Sequence, residues 1–162
     1  MKKCLFAGSF DPFTVGHADV VEKALALFDE VVIAVMVNPE KTYTFTLEER
    51  LSFIRTAYEK EPRVSVIADS GLAAEVCEKV GASFYVRGIR NGSDYDYETA
   101  NYYAAKRFVP TLQTVYFPAE KEQLDISSSV VKTMMKNGKE YDKFLPEAIQ
   151  KAVASAWESK QK

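Results

Sequence analysis

The chain has 162 residues, 47% hydrophobic and 27% charged, with a formal net charge of −2. That length fits one domain with a sizeable core, and the slight acidity argues against a nucleic-acid partner held through a basic surface. No apolar stretch approaches the ~20 residues of a membrane span, and Asp11-Pro12 comes too soon for a signal-peptide core, so the sequence reads as cytoplasmic.

Cys4-Leu5-Phe6-Ala7 predicts a short buried strand. It runs into Gly8-Ser9-Phe10-Asp11-Pro12-Phe13-Thr14-Val15-Gly16-His17, where an amphipathic helix begins. A glycine-flanked strand-to-helix turn sets free backbone N–H groups beside the positive end of a helix dipole, which suits a phosphate. Ser9 adds a hydroxyl, and His17, the only histidine, adds an imidazole donor. A histidine at a helix start can also simply bond a neighbouring backbone group; its sole occurrence, the adjacent glycine and the loop position favour a ligand role. Asp11 before Pro12 fits turn capping, with action through a metal-bound water as the alternative.

The second strand, Val31–Val37, is continuously apolar, the pattern of a strand covered on both faces. The next loop carries Lys41 on the same rim, although a lone loop lysine is usually only solvated. Thr46 and Glu49 have capping-box spacing before a helix with Leu47, Leu51, Ile54 and Tyr58 on one face. A third strand, Val64–Ala68, precedes a helix marked by Leu72, Val76 and Val80. After a fourth strand, Phe84–Val86, stands Arg87-Gly88-Ile89-Arg90, whose guanidinium forks suit phosphate. Asp94-Tyr95-Asp96-Tyr97-Glu98 opens a helix with the stripe Tyr97, Ala100, Ala104 and Phe108. Asp94 and Asp96 complement its dipole, and Glu98 offers a carboxylate to ribose hydroxyls if it faces a cleft.

The fifth strand is Val115–Phe117. Ser127-Ser128-Ser129 then form a second donor-rich helix start, as N-caps or as a grip on distal phosphates. Pro146 suits the first turn of a last helix bearing Ile149, Val153 and Trp157, and Ser159–Lys162 reads as a frayed polar tail after a domain spanning 1–158. Cys4 and Cys77 read as buried thiols, too few with His17 for a structural zinc site.

The alternation predicts a Rossmann-like α/β fold: a doubly wound, five-stranded parallel sheet of order 3-2-1-4-5 with C-terminal helices. Strands 1 and 4 adjoin at its switch point, so ligands should collect after them. No P-loop, GxGxxG or nucleophile-elbow sequence is present.

The strings GSFDPFTVGH, NPEKTYTFTLEER, RGIRNGSDYDYE and DISSSVVK, in this order, resemble bacterial phosphopantetheine adenylyltransferase, of the HxGH-type nucleotidyltransferase superfamily. The resemblance runs from Met1 to about Lys151. It implies transfer of the adenylyl group of ATP to 4′-phosphopantetheine, giving dephospho-coenzyme A and pyrophosphate. It also implies Mg2+ held mainly through ATP phosphates, a homohexamer, and possible feedback by coenzyme A. Catalytic roles fall by resemblance to His17, Lys41 and Arg87. Ser9, Phe10, His17, Gly88, Ile89, Arg90, Glu98 and the segment Gln123, Leu124, Asp125, Ile126, Ser127, Ser128 and Ser129 would hold ATP; Ser9, Lys41, Ala73 and Arg87 would hold phosphopantetheine. Two departures are Ala105-Lys106, where an asparagine usually precedes the basic residue, and Gln123-Leu124-Asp125, where aromatics are usual. The competing readings are a transferase for nicotinate mononucleotide, one joining CTP to a polyol phosphate, and a non-catalytic nucleotide sensor.

Overall fold

A computed structural model describes residues 1–162. Five parallel strands, β1 (Lys3–Gly8), β2 (Glu30–Met36), β3 (Val64–Asp69), β4 (Phe84–Ile89) and β5 (Gln113–Pro118), form one sheet of order β3-β2-β1-β4-β5, the predicted order. Between and after them lie α1 (Val15–Leu27), α2 (Leu47–Ala57), α3 (Ala73–Val80), α4 (Gly92–Phe108), α5 (Ser128–Lys136) and α6 (Gln150–Lys160), with three short 3-10 turns late in the chain.

The continuous apolar run of β2 is explained by two cores. Val31, Ile33 and Val35 face a larger one shared with α1, α2, α5 and α6, while Val32 and Ala34 face a smaller one shared with α3. Alternate side chains of one strand thus both find apolar partners. Cys4 and Cys77 are fully buried free thiols, and burial pushes each up to about 12.

The sheet makes its opening through unequal pairing. β1 pairs with β2 along its whole length, Lys3↔Glu30 to Gly8↔Val35. With β4 it pairs only at Cys4↔Phe84 and Leu5↔Tyr85. Beyond that point the carboxyl ends of β1 and β4 part, and the crevice lies between them.

Several predicted boundaries move. Pairing with β5 continues through Arg87↔Tyr116, Gly88↔Phe117 and Ile89↔Pro118, so Arg87-Gly88-Ile89 belong to the strand rather than following it. α4 starts at Gly92, capped by the Asn91 side chain, ahead of the acidic cluster. Its expected apolar stripe is not core: Tyr97 is 67% and Phe108 64% exposed, and its one buried residue is Glu98. Part of this face, Tyr97, Ala104 and Phe108, lines a cavity between α4, α3 and β1. Pro146 precedes a 3-10 turn, Glu147–Ile149, which leads into α6. α6 continues to Lys160, whose ammonium pairs with Glu49 at 2.8 Å, so the first two residues of the expected frayed tail, Ser159 and Lys160, are helical.

Candidate active site

Two cavities meet over the parted strand ends. One, of about 320 Å3, is lined by the β1–α1 turn, β4, and the start of α5. The other, of about 400 Å3, lies between β1, α3 and α4, and 12 of its 18 lining residues are hydrophobic. They share Ala7, Gly8, Ser9, Arg87 and Glu98, the residues of the parted strand ends and the carboxylate above them.

The turn that separates them is tightly built. Phe10 adopts φ 47°, a left-handed conformation unusual for an aromatic residue. Its ring is fixed by edge contacts to Phe6 and His17, with centroids 5.1 and 5.0 Å away. Gly8 leaves room for it: a Cβ there would stand 3.1 Å from the ring. At Gly88 a Cβ would meet Val20 at 2.9 Å, so helix α1 can approach β4 only over a glycine.

His17 sits at the third position of α1 and reads a specific tautomer. Its Nδ1 accepts the Thr14 backbone N–H at 3.0 Å, while the Thr14 hydroxyl accepts the His17 N–H at 3.4 Å. With Nδ1 an acceptor, the network assigns the ring proton to Nε2. Burial, reinforced by the charges of Arg87 and Arg90, lowers the ring from 6.5 to about 3. His17 therefore lines the first cavity as a neutral N–H donor, and the backbone bond weighed for it in the sequence is what orients it.

Arg87 stands at the junction. Its Nη1 donates to the Ala7 carbonyl at 2.7 Å; Nε and Nη2 reach Glu98 Oε1 at 2.9 and 2.8 Å. Burial opposes its charge, but Tyr85 and Glu98 outweigh it and hold the guanidinium above its ordinary range. Two of its five N–H groups remain for an anion. Glu98 is thus first the partner that orients Arg87. Arg90 is tied to Asp94 at 3.2 Å, which keeps Asp94 below the usual carboxylate range despite its desolvation.

At the start of α5, the Ser127 hydroxyl caps Val130 N–H at 3.1 Å, and the Ser128 hydroxyl donates to the Pro12 carbonyl at 2.8 Å. With these hydroxyls engaged, the donors facing a phosphate are the backbone N–H groups of the first helical turn. Gln123 Oε1 is buried without a partner beside the same cavity.

Of the residues expected at ATP, Ser9, Phe10, His17, Gly88, Arg90, Glu98, Gln123, Ile126, Ser127 and Ser128 line the first cavity. Ala73 lines the second, and Ser9 and Arg87 line both. Lys41, Ile89, Leu124, Asp125 and Ser129 line neither. Lys41 lies exposed on the loop after β2, Ile89 alternates away from Gly88 and Arg90 along the strand, and Leu124, Asp125 and Ser129 are exposed. Asp11 caps no turn of its own: its carboxylate accepts the N–H groups of Thr44 and Phe45 at 2.9 and 2.8 Å. No group of three His, Cys, Asp or Glu side chains is placed to hold a metal ion. Sequence reasoning missed Arg50, which donates to the Ser9 carbonyl; the signal was a charge on the same helical face as Leu47, Leu51 and Ile54.

A crevice at the switch point of a 3-2-1-4-5 sheet, lined by groups able to donate to a phosphate, suits nucleotidyl transfer, and the match of residues 5–134 to the cytidylyltransferase-like family sets the class of α/β protein. A phosphopantetheine adenylyltransferase of Flavobacterium psychrophilum is 42% identical over 149 residues, covering 92% of this chain and 98% of that one. A phosphopantetheine adenylyltransferase of Porphyromonas gingivalis is 44% identical over 151 residues, with 92% and 98% covered. The chain belongs to the cytidylyltransferase-like family and, within it, to the phosphopantetheine adenylyltransferases. A solved Vibrio parahaemolyticus structure shares the fold at TM-score 0.71 and 18% identity, covering 97% of this chain and 95% of that one.

Proposed function

We propose that this chain joins ATP to 4′-phosphopantetheine, forming dephospho-coenzyme A and releasing pyrophosphate. The observation that carries the reading is the pair of cavities with Arg87 at their junction: one polar and phosphate-ready, the other largely apolar with a few polar groups such as Asn101 and Thr114, suited to the mixed apolar and amide character of the pantetheine arm.

A phosphate monoester oxygen of the acceptor attacks the α-phosphorus of ATP. A new P–O bond forms, the bond from the α-phosphorus to the bridging oxygen breaks, and pyrophosphate leaves with that electron pair. The nucleophile is already anionic near neutral pH, so no protein base is required. The protein holds two repelling anions in line and neutralises the charge that builds on the transferred group. The Nε2–H of His17 donates to an α-phosphoryl oxygen. Arg87, oriented by Glu98 and Ala7, grips the acceptor phosphate, and Lys41 swings in from its loop to join it. The N-terminus of α5 receives the β- and γ-phosphates, and Gln123 Oε1 gains a donor from the base. Ile89, Leu124, Asp125 and Ser129 take part only as backbone around the nucleotide. Magnesium arrives on the ATP phosphates.

The same proposal places the chain in the cytoplasm as a homohexamer, with coenzyme A as a feedback ligand spanning both cavities. Free buried thiols suit a reducing compartment. The exposed Tyr95, Tyr97, Tyr103 and Phe108 of α4 are aromatic surface of the kind that subunits bury.

Pyrophosphate release with ATP is the test, with 4′-phosphopantetheine and nicotinate mononucleotide offered in turn, alongside a reaction of CTP with glycerol 3-phosphate. Release with phosphopantetheine alone is expected. Release only with another acceptor, or only nucleotide binding, overturns the reading.

A further inference from the structure

The largest fully buried side chain in the protein is a charged one, Arg50 of α2. Its Nη1 donates to the Ser9 carbonyl at 2.9 Å and reaches the Met36 carbonyl at 3.5 Å. Its guanidinium carbon lies 3.9 Å from the centre of the Tyr43 ring, and its Nε has no partner. Asp11, 2% exposed, accepts from Thr44 and Phe45 and is approached by Lys132 of α5 at 3.4 Å.

These bonds share a plan. Ser9 and Asp11 flank Phe10, the residue with the left-handed backbone. Each is held by the stretch Tyr43–Arg50, Ser9 through its carbonyl and Asp11 through its carboxylate. Buried charges are a poor way to gain stability, because well-packed apolar side chains serve as well. A fixed geometry is what they supply here. The geometry points to Arg50 and Asp11 as positioning residues that clamp the Ser9–Asp11 turn to the loop after β2, fixing Ser9 at the junction of the two cavities and Phe10 in the wall of the first, and anchoring the root of the Lys41 loop. This deepens the adenylyl-transfer reading and rests on it.

Arg50→Met and Arg50→Lys test it. We measure kcat, the KM of each substrate, the Kd of ATP, and amide hydrogen exchange at Thr44 and Phe45. A turn released by about 1 Å should lower kcat ~10²-fold in Arg50→Met. ATP Kd should stay within about threefold, since most nucleotide contacts lie elsewhere, and Arg50→Lys, which keeps a donor, should recover about tenfold of the lost kcat. A folded Arg50→Met with kcat within about threefold of the parent overturns the assignment, as does a lysine variant that recovers nothing. If Arg50→Met does not fold, Asp11→Asn decides. It should speed exchange at Thr44 and Phe45 by about tenfold or more and lower kcat by a similar factor, and unchanged kcat contradicts the clamp. A parent without adenylyl transfer refutes the functional reading alone, because the exchange measurement on Asp11→Asn tests the clamp without turnover.

Discussion

His17 uses one ring nitrogen for structure and leaves the other for the proposed chemistry. Nδ1 completes a capping box with Thr14, and that bond leaves the Nε2 proton directed as a donor. Removing it should cost kcat about 10²–10³-fold, the usual effect of losing one preorganised donor at developing charge. Steady-state kinetics of His17→Ala, with ATP affinity measured separately, checks this; kcat within about threefold of the parent refutes the donor role. The ring's environment also sets a pH dependence of stability. Burial lowers the folded-state value to about 3 from 6.5, so between these values the unfolded chain binds more protons. Stability from this group is therefore complete above pH 6.5 and is lost as pH falls toward 3. Urea unfolding of the parent and His17→Gln across that range should converge at low pH; parallel curves contradict it. In the sequence, the position and importance of His17 were legible from its glycine-flanked turn. Its tautomer and neutrality were not: the tautomer depends on the folded turn that brings the Thr14 N–H to Nδ1, and the neutrality on burial and on Arg87 and Arg90 arriving from elsewhere in the fold.

At the scale of elements, the start of α5 is capped and, in the proposed reaction, also receives the distal phosphates. Ser127 holds Val130 N–H, and Ser128 ties the helix to the β1–α1 turn through Pro12. Ser127→Ala should lower stability by about 1 kcal/mol and raise the KM for ATP, since a frayed first turn presents its N–H groups less well. Thermal unfolding and ATP saturation curves test the two parts; a KM unchanged in a destabilised variant would separate the cap from nucleotide binding. The serine run, the capping box at Thr46 and the doubly covered strand β2 were all readable from local pattern. The stripe on α4 was misread for a physical reason. Period alone places Tyr97 and Phe108 on one face, but it does not reveal that this face overlooks a cavity instead of filling a core. Lys41 is the complementary case: its rim position is as expected, yet the loop leaves it outside both cavities.

For the whole molecule, strand order and function have one cause. The chain reverses direction of winding at β1, so β1 and β4 pair only briefly before parting, and both ligand cavities open on the gap. That order was legible from alternating runs and right-handed crossovers. For Arg50 only the charge on an apolar helical face was legible; its role was not, since the need for a buried guanidinium follows from a turn contributed by another part of the chain. In the proposed reaction the donors of the two cavities serve two phosphates, and the acceptor phosphate, not Ser9 or His17, is the nucleophile. Transfer is then one direct displacement at the α-phosphorus. The stereochemistry of the reaction reads this most directly: with a single diastereomer of ATPαS and 4′-phosphopantetheine, the product should carry inverted configuration at the transferred phosphorus. Retention would require an adenylyl-enzyme intermediate and would contradict the account.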